Sequence, residues 1–300
     1  MDFRHLQQFV MLAETLNFRR AAQKLHMAQP PLSVSIRKLE TELGVQLFVR
    51  GKDGVRLTDS GVAALVEARR ALFHAERFQW VARAVASGEG GVLRVGFVGS
   101  ATHEILPRIV PRFRLQYPSV ELVLLEVTSI RLLQMLNDER LDVGIVRVPA
   151  PSAGRIGLMT LQSETFVLAL PAAHPLAKRK SVKLADLADE PFIVYSAADG
   201  PGLRTAVLHA CQCCGFTPRI SQEAVQVSTL HSLVESGLGV ALVPAVSQRF
   251  SSAGVVYKSL SDLPASAGIG LSLAWNPQAQ TPALEHFKVL AHQLFVEPES

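Results

Sequence analysis

Seven short apolar runs in the last two thirds of the chain constrain its fold more than any other feature: LRVGFV (93–98), ELVLLEV (121–127), LDVGIV (141–146), TFVLALP (165–171), PFIVY (191–195), GVALVP (239–244) and LSLAW (271–275). Amphipathic stretches at roughly 104–117, 130–139, 202–214, 228–237 and 283–295 separate them. A strand buried on both faces reads as a continuous apolar run, and strands alternating with helices build sheets covered by helices. The pattern predicts an α/β unit of mostly parallel strands, and its number of elements predicts two sheets.

The first sixty residues obey a different period. Phe3, Leu6, Phe9, Val10 and Ala13 recur at helical spacing, as do Phe18, Ala21, Ala22 and Leu25. A third helix is expected from near Pro31, since proline suits a first helical turn. It buries Leu32, Ile36, Leu39 and Leu43 and stops at Gly44, a residue type that favours the C′ position. Val45–Val49 and Val55–Leu57 flank the turn Gly51-Lys52-Asp53-Gly54, and Thr58 is placed to cap a further helix. From Asp59 to about Ala86 no proline interrupts the chain, and after Gly61 no glycine does. That span is a helix of about 42 Å at 1.5 Å per residue. Within it Leu65, Ala68, Leu72, Ala75, Gln79 and Ala82 make a short heptad-like seam. Ser87-Gly88-Glu89-Gly90-Gly91 reads as a hinge.

Two helices joined by a tight turn form the layout that sets a recognition helix in the DNA major groove. With its apolar positions buried, helix three turns Pro30, Ser33, Val34, Arg37, Lys38 and Thr41 outward. Ser33 can bond a base edge or phosphate, Arg37 can grip guanine O6/N7, and Val34 offers only apolar contact. Gln29, just ahead of the helix, can reach adenine or phosphate, with Pro30 and Pro31 opening the helix beside it. Arg50, Lys52 and Arg56 suit a wing on the sugar-phosphate backbone. A solvated amphipathic helix in a small bundle is the competing reading. Charge favours DNA: residues 1–87 hold 13 Lys/Arg against 8 Asp/Glu, whereas residues 88–300 hold 17 against 18.

Composition closes off other classes. With 48% hydrophobic and 19% charged residues, the chain is an ordinary globular one. No apolar stretch approaches the ~18 residues of a membrane span, so no membrane role is expected. The opening MDFRHLQQF has no leader pattern, and the cysteines (Cys211, Cys213, Cys214) are odd in number. A reduced, cytoplasmic protein is expected. Without GxSxG, HExxH, a P-loop or GxGxxG after a strand, no enzyme and no cofactor is expected. Ser100 and His103 lie close in sequence but no acid is placed to complete a triad. The CxCC cluster is the basis of an alternative, a redox-sensing regulator, yet helical i,i+2 residues point apart and no second zinc pair is present.

The run LQQFVMLAETLNFRRAAQKLHMAQPPLSVSIRKLETELGVQLFVRGKDGVRLTDSG resembles the winged helix-turn-helix of LysR-type transcriptional regulators. The likeness continues through LRVGF, PRIVPRFRLQYPSVEL, LQMLNDERLDVGIVR, HPLA, LADLADEPFIVY and SGLGVALVPA. It implies an α plus α/β chain: a winged helix-turn-helix over 1–58, a dimerising linker helix and hinge over 59–91, and a two-lobed effector domain over 92–300 similar to periplasmic binding proteins. Lobe I would take about 92–162 and 268–300, lobe II about 163–267. A dimer or tetramer would bind a double-stranded, inverted-repeat operator and work with RNA polymerase. AETLNF and AQPPLS look most like regulators of aromatic catabolism that answer muconate or benzoate. Val34 departs from the polar or basic residue those often carry after PPLS.

Ligands of open α/β sheets sit at strand C-termini, where helix N-termini offer free N–H groups to an anion. Gly99-Ser100-Ala101-Thr102 follows strand 93–98 and is expected to open a helix. Thr128-Ser129 follow strand 121–127, and Arg147 follows strand 141–146. Ser196 and Asp199-Gly200-Pro201 follow strand 191–195, and Val227 precedes the helix at 228. Singly, each Ser or Thr reads as a plain helix cap. The resemblance implies that Ser100 and Ser129, with Thr128 and Thr102 beside them, hold an effector carboxylate near Arg147. Phe97, Tyr195, Pro201 and Val227 are the expected apolar walls.

Overall fold

The computed structural model describes residues 2–51, 54–87, 91–150, 155–249, 253–279 and 281–297. The chain divides into two compact units, Met1–Glu89 with Asp138–Arg140, and Gly90–Asn137 with Leu141–Ser300.

The first unit runs α1 (Phe3–Thr15), α2 (Phe18–Lys24), α3 (Gln29–Leu43), β1 (Phe48–Gly51), β2 (Gly54–Leu57) and α4 (Asp59–Ser87). Asp2 and Asn17 cap α1 and α2 by accepting the His5 and Arg20 amides at 2.9 and 3.0 Å. Helix α3 begins at Gln29, earlier than expected, because both prolines fit its first turn. Gly44 ends it in the left-handed region, at φ 69°. Leu32, Ile36 and Leu39 are buried with Phe9 and Leu12, each contributing roughly 1.5–3 kcal/mol over exposure. Leu43, expected inside, is 44% exposed at the last residue of α3, where Gly44 ends the helix.

Two polar side chains hold the remaining elements to this core. The Ser35 hydroxyl donates to Gln8 Oε1, tying α3 to α1, and Gln8 itself is buried. Glu40 Oε1 accepts the amides of Leu47 and Phe48 at 2.9 and 3.0 Å, clamping the start of the wing to α3. Thr58 caps α4 as expected, accepting the Gly61 amide at 2.9 Å. Ala64, Leu65 and Ala68 pack into the same core, and Arg69 pairs with Glu14 at 2.9 Å. The first two positions of the heptad-like seam, Leu65 and Ala68, are therefore used within the chain. The side chains of Gln79 and Ala82 lie outside the described residues.

The second unit runs β3 (Val92–Phe97), a 3₁₀ turn (Gly99–His103), α5 (Ile105–Gln116), β4 (Glu121–Glu126), α6 (Ser129–Asn137), β5 (Val143–Val148), β6 (Gly157–Glu164), β7 (Phe166–Pro171), β8 (Ser181–Val182) and β9 (Pro191–Tyr195). It continues with α7 (Pro201–Cys213), β10 (Arg219–Ala224), α8 (Val227–Glu235), β11 (Ala241–Pro244), β12 (Val255–Leu260), β13 (Ile269–Trp275) and α9 (Pro282–Phe295). One lobe holds the sheet β4-β3-β5-β13-β6. There β3 runs parallel to β4 and β5, while the returning β13 is antiparallel to β5 and β6. The other lobe holds β11-β7-β12-β8 and the parallel pair β10-β9, linked by a bridge between Phe192 and Val240.

Three sheets form where two were expected, the β10-β9 pair meeting the four-stranded sheet through one isolated bridge, and the strands are less parallel than expected. β7 is antiparallel to both neighbours, β11 and β12. A continuous apolar run reports burial on both faces, which β7 and β11 have, and says nothing of strand direction. Gly99–Thr102 forms a 3₁₀ turn ahead of α5 in place of the expected helix start.

Candidate nucleic-acid interface and ligand crevice

On α3, Gln29, Pro30, Pro31, Val34, Arg37 and Lys38 are exposed and Ser33 is half-buried. Val34, at 65% exposure, places an apolar side chain in the middle of this polar face. Arg56 projects from β2 and is exposed, and Arg50 sits in β1 paired with Val55. The side chain of Arg50 and the whole of Lys52 lie outside the described residues. The wing is braced at its base by Glu40 and by Phe48, whose ring meets Phe9 edge-on at 5.5 Å. A helix presenting cations and hydroxyls beside a braced basic hairpin can lie in a major groove while the hairpin follows the phosphates.

In the second unit a crevice lies between the lobes. Its lining brings together Ser100 from the 3₁₀ turn, Thr128 and Ser129 from the start of α6, and Arg147 from β5. Pro201 from α7 and Val227 from α8 face it from the other lobe with Tyr195. The starts of α6, α7 and α8 thus meet at one place, each with amides that have no acceptor inside its own helix. Phe97, expected as a wall, is buried in the lobe core. Thr102 does not line this crevice. Its hydroxyl donates to the Gly99 carbonyl at 2.6 Å, and the residue borders an adjoining pocket with His103, Glu126 and Ser228.

Arg147 is buried, 5% exposed, and is not free for a ligand in full. Its Nη1 donates to Glu164 Oε1 at 3.0 Å and its backbone amide donates to Ser129 Oγ at 2.9 Å. The Ser129 hydroxyl hydrogen remains available to donate. Arg147 Nη2, Glu164 Oε2 and the Tyr195 hydroxyl are buried without a hydrogen-bond partner. Burial pushes the Tyr195 phenol above its ordinary value, so it stays a neutral donor. Arg147 and Tyr195, each holding one buried donor without a partner, are thus lining residues of a crevice ringed by helix N-termini. Such a set suits an oxyanion. Glu164 was not visible from sequence, because it ends a strand, β6, whose alternating burial leaves no continuous apolar run.

Burial pulls the His103 imidazole below its ordinary value, helped by Arg249 and Arg147. Cys211 is buried and its thiol is pushed up to about 12, by burial first. Cys213 is exposed, with Sγ 3.6 Å from His209 Nε2. Among the described residues no group of three or more His, Cys, Asp or Glu could hold a metal, and no helix is long and apolar enough to cross a membrane.

Both units match families of known proteins. Residues 3–62 match the model for the bacterial regulatory helix-turn-helix protein of the lysR family, and residues 86–295 match the LysR substrate binding domain. The chain is 38% identical to the HTH-type transcriptional regulator AlsR of Bacillus subtilis over 96% of its own length and 94% of the relative's. It is 33% identical to the HTH-type transcriptional regulator BenM of Acinetobacter baylyi over 99% of each chain. A solved structure of full-length CbnR complexed with its target DNA superimposes with a TM-score of 0.77, at 27% identity, over 98% of this chain and 99% of that one.

Proposed function

Because the chain belongs to the LysR family of DNA-binding transcriptional regulators, we propose that its effector is a small carboxylate, of the size and shape of muconate or benzoate, held in the crevice between Arg147, Tyr195, Ser100 and Ser129. One observation carries this reading: Arg147 and Tyr195, which line a crevice onto which the N-termini of α6, α7 and α8 converge, each hold a buried donor without a partner. The resemblance of AETLNF and AQPPLS to regulators of aromatic catabolism narrows the carboxylate to that chemistry.

Gln29, Ser33, Arg37 and Lys38 read an inverted-repeat operator, with Arg50, Lys52 and Arg56 on the phosphates. The regulator acts in the cytoplasm as a homo-oligomer and is not an enzyme. Two copies present two recognition helices to the two halves of a palindromic site. A carboxylate that binds one arrangement of the lobes more tightly than the other biases the assembly by that difference in affinity, and so changes what RNA polymerase meets at the promoter. Thermal melts of the purified chain with benzoate, cis,cis-muconate and the neutral benzamide test the effector class. One of the two acids should raise the midpoint and benzamide should not. Equal stabilisation by benzamide would remove the anion from the account.

A further inference from the structure

Glycine is among the least helix-favourable residues, yet Gly202 sits in the first turn of α7, so its presence there needs a packing reason. The structure supplies one. A Cβ added at Gly202 would overlap the carbonyl oxygen of Pro149, and would also meet Ala150 Cα at 3.7 Å. Pro149 follows β5, the strand that carries Arg147, and belongs to the first lobe, whereas Gly202 belongs to the second. Among the described glycines, it is the one whose Cβ would strike backbone of the opposite lobe. Both residues line the crevice.

Neither side of this contact can give way easily. The Pro149 oxygen is backbone, held by the strand whose Arg147 amide is bonded to Ser129. The first turn of α7 is held to its own lobe by Arg204, which donates to the Tyr195 carbonyl at 3.0 Å and to Glu223 at 2.7 Å. A side chain at 202 must therefore push the lobes apart.

We propose that Gly202 is a specificity-determining residue: by letting α7 seat against Pro149 it sets the closest approach of the two lobes, and so restricts the crevice to slim carboxylates. This rests on the carboxylate reading for the ligand, but not for the lobe contact itself.

The test compares the full chain with Gly202→Ala in two ways. Titration with acetate, benzoate, cis,cis-muconate and 1-naphthoate should show the unsubstituted chain taking benzoate or muconate and refusing 1-naphthoate. Gly202→Ala should weaken the preferred slim acid at least tenfold and admit 1-naphthoate. Hydrogen exchange without any ligand should show the amides of Ala150, of residue 202 and of Leu203 exchanging at least tenfold faster in the variant. Unchanged exchange and an unchanged preference would overturn the proposal. If the unsubstituted chain binds none of the four acids but exchange still differs, the carboxylate reading fails and the spacing role of Gly202 stands. If Gly202→Ala does not fold, exchange in the unsubstituted chain decides. The first-turn amide of Gly202 has no acceptor in its helix, so slow exchange there reports the Pro149 backbone packed against it, and exchange as fast as in an open first turn contradicts the contact.

Discussion

Arg147 and Glu164 share a single close contact, Nη1 to Oε1 at 3.0 Å, with both side chains at most 6% exposed. Each keeps one terminal atom, Nη2 and Oε2, without a partner. The pair is thus half satisfied, and the arginine that lines the crevice carries a charge only partly matched within the protein.

Breaking such a pair from one side leaves a buried charge uncompensated, at a cost of about 3–5 kcal/mol, while replacing both partners with apolar residues costs much less. Glu164→Gln and Arg147→Met should each destabilise the chain strongly, and Arg147→Met with Glu164→Leu should recover most of the loss. Urea unfolding of the three variants checks this. Glu164→Gln should also tighten benzoate or muconate binding, because Arg147 loses its competitor, whereas Arg147→Met should abolish it.

Arg37→Ala should weaken operator binding by about 1–3 kcal/mol and relax the sequence preference at one base pair, if Arg37 reads that pair. Lys38→Ala should weaken all sequences alike and shallow the salt dependence if it meets a phosphate. Fluorescence anisotropy on the operator and on scrambled DNA separates the two. An Arg37→Ala chain with unchanged affinity would take Arg37 off the reading face.

Glu40 bonds the amides of Leu47 and Phe48. Glu40→Ala strands these amides at the base of the wing, costing about 1–3 kcal/mol. DNA affinity should fall along with stability, since the wing loses its anchor although no DNA contact has been removed. Unfolding and anisotropy measured together would show it.

His103 makes a pH prediction. Its folded pKa is lowered, chiefly by burial and then by Arg249 and Arg147, so below its ordinary value the unfolded chain binds the proton more readily. Stability contributed by neutral His103 is therefore present at pH 7 and falls as pH drops through about 6.5 toward the lowered folded value. His103→Gln should flatten that part of a melting-temperature profile. An unaltered profile would show that the slope belongs to other groups.

The cysteines should react in order of exposure. Iodoacetamide at pH 8 should label Cys213 first, Cys214 slowly, because burial and Asp262 raise its thiol, and Cys211 only after unfolding. Peptide mapping by mass spectrometry reads the order directly.

Much of the first unit was readable from local rules. The periodicity of Leu32, Ile36 and Leu39, the glycine stop at 44 and the Thr58 cap are short-range effects that packing did not override. Strands β6, β10 and β12 went unread because none is a continuous apolar run: in RISQEA of β10 four of the six residues are exposed and only Ala224 is buried. The same limit hid part of the site. Ser100, Thr128, Ser129 and Arg147 follow strands, but their joint role was implied by the family resemblance, whereas Glu164 and Gly202 matter through contacts 17 residues away in sequence or across the lobes. No pattern along the chain could have announced those.

The most direct test of the account as a whole is selection of sheared genomic DNA from the source organism by the purified, folded chain, with and without muconate or benzoate. The account predicts enrichment of an inverted-repeat site whose recovery or footprint changes when one of these acids is added. Enrichment that no carboxylate alters would contradict the effector assignment, and no enrichment even at low salt would contradict the operator-binding face itself.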